Sequence, residues 1–179
     1  MIKFGTGGWR AVIGEDFICE NIRRVAAGIA KLAEEQQKTE KPVIVGYDRR
    51  FLSENAAKWV AETLVQGGLK VWFLHRSAPT PLIMHTVKDQ GLHYGIEITA
   101  SHNPSNYNGI KLIVDEGRDA PLEVTGRLEE LVAQGMDYEA ICSAIKEYQS
   151  KTGLLFMLES LNNFAANGRV SPAVAKIAG

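Results

Sequence analysis

The stretch Thr99-Ala100-Ser101-His102-Asn103-Pro104, continued by Ser105-Asn106-Tyr107-Asn108-Gly109-Ile110-Lys111, gathers the chain's densest set of groups able to do chemistry. A serine hydroxyl is a poor nucleophile at its own pKa, so Ser101 needs a base, a cation or a phosphate already in place before it can react. His102 and Lys111 are what the loop offers. Adjacent residues on an extended chain point to opposite sides, so a hydrolase-type Ser101–His102 hydrogen bond is not expected, and an esterase reading is poor. Asn103, Asn106 and Asn108 read as turn formers rather than ligands. Pro104 steers Asn103 away from the helical region, and Asn108-Gly109 is expected to tighten the return, so Ser101 should stand at the rim of a sheet.

Two other stretches carry charge or backbone suited to a site. Gly5-Thr6-Gly7-Gly8-Trp9-Arg10 is rich in glycine, which suits backbone that approaches something closely, with Arg10 held at its end. The alternative is a plain glycine turn; the spacing fits neither the dinucleotide fingerprint nor the P-loop. Asp48-Arg49-Arg50 follows an apolar run, where charged residues often furnish sites in open α/β sheets. Equally, Asp48 and Arg49 could brace each other or cap a helix. Asp115, Glu116 and Asp119 read as a solvated turn at the far end of a strand from the serine loop. His75, His85 and His93 lack metal-ligand spacing and read as surface or satisfied histidines.

The elements that must position these groups follow from periodicity. Ile22, Val25, Ala26, Ile29, Leu32 and Ala33 recur at helical spacing from Ile18 onward. Pro42 to Tyr47 reads as a short buried strand, and Ser53 as the N-cap of a second helix that ends at Gly67-Gly68. Leu69 to Leu74 is the next strand; Thr80-Pro81 opens a third helix over Leu82 to Lys88. Tyr94 to Thr99 feeds the serine loop, Ile110 to Val114 follows it, and Pro121 opens a further helix. This order predicts a three-layer α/β/α domain around a mixed, mainly parallel four-stranded sheet. The last strand should be antiparallel, because the ten residues between Thr99 and Ile110 are too few for a parallel crossover.

With 20 basic and 21 acidic residues the chain has no net field for nucleic acid or an anionic membrane. No signal core or bilayer-length apolar run occurs, and Cys19 and Cys142 show no metal or disulfide spacing. The expectation is a cytoplasmic, soluble protein.

The Thr-Ala-Ser-His-Asn-Pro loop with Asn-Gly-Ile-Lys downstream resembles the phosphoserine loop of the α-D-phosphohexomutases, the phosphoglucomutase/phosphomannomutase family. Phe4 to Arg10 and Gly46 to Arg50 resemble two more of its active-site segments, in the same order. The resemblance covers residues 1 to about 140, the first of the family's four domains. It implies an enzyme that shifts phosphate between the 1 and 6 positions of a hexose phosphate through a bisphosphate intermediate. Ser101 would carry the phosphate, with Arg10 and Lys111 as cations beside it and His102 orienting or shuttling protons. Mg2+ would bind Ser101 through its phosphate, its remaining ligands coming from an Asp-x-Asp-x-Asp cluster in a domain absent here, and a hexose 1,6-bisphosphate would be the primer.

Residues 1–135 are thus read as the first domain of such an enzyme, incomplete as an isolated chain. Residues 136–179 are read as a helical extension, the start of a missing second domain or a divergent tail. Leu154, Leu155, Leu158, Leu161 and Phe164 would form an apolar helix face there, suited to self-association or to a missing domain. The rival reading is a non-catalytic α/β module that binds phosphate or a partner through the same loop.

Overall fold

The computed structural model describes residues 2–5, 7–135 and 138–152. The proposed apolar helix beyond Gly153 lies outside them. Strands β1 (Phe4–Gly5) and β2 (Gly8–Val12) open the chain, followed by α1 (Cys19–Glu35), β3 (Val43–Tyr47), α2 (Ser53–Gln66), β4 (Val71–Phe73) and α3 (Thr80–Asp89). Then come β5 (Tyr94–Ile98), β6 (Tyr107–Val114), a 3-10 turn (Asp115–Gly117), β7 (Arg118–Asp119), α4 (Leu122–Ala133) and α5 (Tyr138–Thr152).

The expected α/β fold is present, with helices on both faces of a mixed sheet, but among the described residues the sheet has seven strands rather than four, ordered β1-β2-β6-β5-β3-β4 with β7 beside β6. The expected strands β3, β4 and β5 are parallel and β6 is antiparallel to β5. The additional strands β1, β2 and β7 all pair antiparallel, so the whole sheet is not mainly parallel. Short strands at a glycine-rich start have no periodicity of their own; what makes β2 a strand is the ladder β6 offers, and β1 pairs onto β2.

α1 buries Ile22, Val25, Ala26, Ile29, Leu32 and Ala33, the stripe read from the sequence. α3 covers the opposite face, where Gly46 and Gly95 let Ile83 approach the strands. Ser53 is the first residue of α2 and caps nothing; Leu52 precedes it in the left-handed region at φ 70°. β6 starts at Tyr107, so Asn108-Gly109 lies inside a strand rather than in a turn. α5 packs Ile141 against Ala27, and Arg23 reaches from α1 to Cys142 at 3.3 Å while the Tyr138 hydroxyl meets Cys19 at 3.9 Å. None of the described helices is long and apolar enough to cross a membrane.

At the end of the sheet away from the serine loop, His93 is satisfied as expected, its Nδ1 lying 2.8 Å from Asp115 and its Nε2 2.7 Å from Glu40. Lys38 adds a 2.6 Å contact to Asp115. Burial pushes the Asp115 carboxyl up, but its hydrogen bonds to Lys38 and His93 outweigh this and hold it below the usual range. Glu40 is lowered by His93 and by its own backbone. Carboxyls lowered in the folded state contribute stability above their unfolded value of about 4, and lose it as pH falls through the folded value. The urea midpoint should therefore drop between about pH 5 and about pH 3, and less steeply in Asp115→Asn. An unchanged slope in that variant would show the cluster is not responsible.

Candidate active site

The sheet register sets out the site. Gly8 lies opposite Lys111 and Arg10 opposite Gly109; on the other side Glu97 lies opposite Lys111 and Gly46 beside Glu97. Cross-strand partners share a face, and residues two apart on a strand do too. Arg10, Lys111 and Glu97 therefore stand on one face, the face covered by α3. Gly109 makes this possible: a Cβ there would lie 2.4 Å from the Trp9 carbonyl, 2.8 Å from the Thr99 carbonyl and 3.0 Å from Arg10 Cγ. The Arg10 side chain thus lies against Gly109, and its Nε is buried without a hydrogen-bond partner among the described residues.

The serine loop is a shaped turn at the rim of the sheet, with Ser101 and His102 exposed. Ser101 sits in the left-handed region at φ 55°, a conformation costly for a residue with a Cβ and concentrated at functional sites. Thr99 Oγ1 supports it by accepting the Ser101 amide at 3.0 Å. The left-handed turn also corrects the expectation about His102: the chain is not extended there, and Ser101 Oγ lies 3.3 Å from His102 Nδ1. The pair can share a proton.

The device that holds the loop is Arg50. Its Nη2 donates to the carbonyls of Ser101 at 2.8 Å and Asn103 at 2.7 Å, and its Nη1 to those of Pro104 at 2.8 Å and Tyr107 at 3.1 Å. Asp48 aims the guanidinium, accepting the Arg50 amide at 2.9 Å and facing its Nε at 3.4 Å. The same carboxylate accepts the Ser53 hydroxyl at 2.7 Å, and Ser53 Oγ accepts the buried Asn108 amide at 2.8 Å. Asp48 thus braces Arg50, not Arg49, which reaches Ser77 Oγ at 3.3 Å. The position of Arg50 just past a strand was visible in the sequence; its target was not.

Lys111 Nζ lies 2.9 Å from Asp119 Oδ1. This overturns the reading of Asp119 as part of a remote solvated turn. β7 folds back along β6, pairing Asp119 with Ile113, and Ile113 is on the Lys111 face. Glu97, missed in the sequence because it lies within an apolar strand, is fully buried. Burial, reinforced by Asp48 and partly offset by Lys111, pushes its carboxyl up to about 9.

No group of three or more His, Cys, Asp or Glu among the described residues is placed to hold a metal ion. Asp48 is engaged by Arg50 and Ser53, Asp119 by Lys111, and Glu97 is enclosed. These residues do not fit a magnesium site; a phosphate on Ser101 would offer it one ligand.

Residues 1–139 match the family model described as phosphoglucomutase/phosphomannomutase, alpha/beta/alpha domain I. The chain belongs to the phosphoglucomutase/phosphomannomutase family. It is 32% identical over 135 residues to a phosphoglucomutase of Staphylococcus saprophyticus, covering 74% of this chain and 24% of that protein. It is 32% identical over 128 residues to a phosphoglucosamine/phosphogalactosamine mutase of Sulfurisphaera tokodaii, covering 72% of this chain and 27% of that protein. A solved structure of a phosphomannomutase candidate from Thermus thermophilus superposes with TM-score 0.71 at 34% identity, covering 76% of this chain and 31% of that one. The chain thus spans about a quarter of the length of these curated mutases. A second family model, described as an uncharacterised protein of the DegV family, matches residues 125–179. Within the phosphoglucomutase/phosphomannomutase domain, α4 closes the fold by packing against α1 and β1.

Proposed function

We propose that this chain is the phosphoserine-bearing domain of a hexose-phosphate mutase, with Ser101 carrying the phosphoryl group exchanged between the 1 and 6 positions of the sugar. The observation that carries this reading is Ser101 itself: an exposed hydroxyl held in a left-handed turn, on a loop whose carbonyls are gathered by one guanidinium. Such precision would be wasted on an idle turn.

A phosphoserine brings close to two negative charges at neutral pH, and that charge must be neutralised as the phosphoryl group transfers. Arg10 and Lys111 stand on the sheet face beside the loop, the first with an unfilled donor. His102, at hydrogen-bond reach of Ser101 Oγ, takes the serine proton as the phosphoryl group arrives and returns it as the group leaves. The site supplies no magnesium cage, so the remaining metal ligands, and with them sustained turnover, are expected from residues outside those described; hexose 1,6-bisphosphate is the primer.

Incubating the chain with a hexose 1,6-bisphosphate should place phosphate on Ser101, read by phosphopeptide mass spectrometry, and Ser101→Ala should abolish it. Label confined to Ser105, Ser77 or Thr99, or none at all, would favour a non-catalytic phosphate- or partner-binding module.

A further inference from the structure

Glu97 has no task in the scheme above, yet its surroundings are specific. It is fully buried, and neither carboxyl oxygen has a hydrogen-bond partner among the described residues. An apolar side chain of similar volume would avoid the cost of enclosing an unpaired carboxyl. Room has been made for it: Oε2 stands 2.7 Å from where a Gly46 Cβ would be, with Ile83 of α3 against the same spot. Three ionisable groups surround it: Lys111 directly across on β6, Asp48 at the exit of β3, and Asp119 of β7, which faces it through Lys111. Lys111 therefore lies between two carboxyl groups, Asp119 at the edge of the sheet and Glu97 enclosed within it.

We infer that Glu97 is a positioning residue for Lys111, giving the ammonium a second, inner seat that competes with Asp119 and sets how much of the lysine's charge is available to the serine loop. The inference rests on reading Lys111 as a cation of the phosphoryl-transfer site. While Glu97 is neutral, Asp119 holds the ammonium at the edge of the sheet. When Glu97 ionises, its carboxylate, desolvated and directly opposite, draws the ammonium inward. A phosphate arriving on Ser101 adds negative charge, disfavours ionised Glu97 and so releases Lys111 toward the loop; by reciprocity, protonating Glu97 favours the phosphorylated state. The proton stays on Glu97 or goes to solvent, and no other group need change.

Carbon-13 NMR of the full chain, with labelled glutamate and lysine, tests this directly. Glu97 should titrate far above the other carboxyls, near pH 9, and the Lys111 Cε resonance should show the same inflection, lost in Glu97→Gln. In Asp119→Asn the lysine should move to the inner seat and lower the Glu97 inflection by about one unit or more, a tenfold change in its ionisation. A Glu97 inflection unmoved in Asp119→Asn, or a Lys111 signal indifferent to Glu97→Gln, overturns the inference. If Glu97→Gln does not fold, Asp119→Asn still decides, since it leaves the buried carboxyl in place. A second arm follows Ser101 labelling by a hexose 1,6-bisphosphate from about pH 7 to about pH 10. The wild-type rate should fall about tenfold as Glu97 ionises, and the Glu97→Gln rate should not; parallel profiles would overturn the inference. Absence of label in every variant would sink the mutase reading alone, because the resonances report Lys111 without it.

Discussion

Replacing Arg50 by alanine should slow phosphorylation of Ser101 by about two to three orders of magnitude while leaving the fold intact. One guanidinium collects the carbonyls of Ser101, Asn103, Pro104 and Tyr107. Each hydrogen bond to a charged group contributes about 1.5–3 kcal/mol, and here that energy is spent on the shape of the loop rather than on the core. Without it, Ser101 has little reason to stay at φ 55°, since relaxing a strained left-handed residue recovers about 1–3 kcal/mol. Phosphoryl transfer depends on placement, so a serine free to wander loses most of its reactivity even though its chemistry is unchanged. Arg50→Lys should not restore it: an ammonium is a point donor and cannot span carbonyls on two sides as a planar fork does. The measurement is the time course of Ser101 labelling by mass spectrometry, with amide NMR spectra confirming that β3 and β6 are undisturbed. Labelling of Arg50→Ala within about threefold of wild type would mean the loop holds its own shape, and that Arg50 matters little to placement.

Gly109→Ala should cost about 3 kcal/mol or more. The new Cβ would stand 2.4 Å from the Trp9 carbonyl of β2 and 2.8 Å from the carbonyl of Thr99, the residue just after β5. A flexible side chain could swing aside; ladder backbone cannot without breaking the register that aligns Arg10 and Lys111. The same substitution at Gly126 serves as the control, because it lies within α4 and a Cβ there meets nothing within 4 Å. Gly126→Ala should be neutral or gain up to about 1 kcal/mol, the usual preference of helix interiors for alanine. Chemical denaturation of both variants settles it: equal midpoints would show that β6 can shift to accept the methyl group.

The framework was legible because its signals are local. The apolar stripe of α1, the buried run of β3, the double glycine closing α2 and the loop that ends in Pro104 are each encoded within a few residues by helical or strand periodicity and turn chemistry. The antiparallel return of β6 was legible for the same reason, since the loop before it is too short for a crossover. Ser101, Arg10 and Lys111 could be singled out by type and order, and the register stands the two cations on one face beside the serine's loop.

What the tertiary structure decided is every relation between residues far apart in the chain. β2 and β7 are strands because β6 offers them hydrogen bonds, and β1 pairs in turn with β2; for β2 that partner lies about a hundred residues along the chain, outside any local window. Asp119 reaches Lys111 because the chain reverses through Glu116 and Gly117, both at positive φ, and runs back along β6. Ser101 and His102 meet because a left-handed serine turns the backbone where dipeptide reasoning assumed an extended one. Asn108, by composition a turn residue, is a buried strand residue because Ser53 and the Phe51 carbonyl, over fifty positions away, satisfy its amide. Glu97 is enclosed because Gly46 across the sheet leaves it room. Composition and periodicity determined which elements form and which side chains were available for chemistry; pairing between distant strands, with the desolvation and hydrogen bonding that pairing imposes, decided which of them face one another and in what charge state.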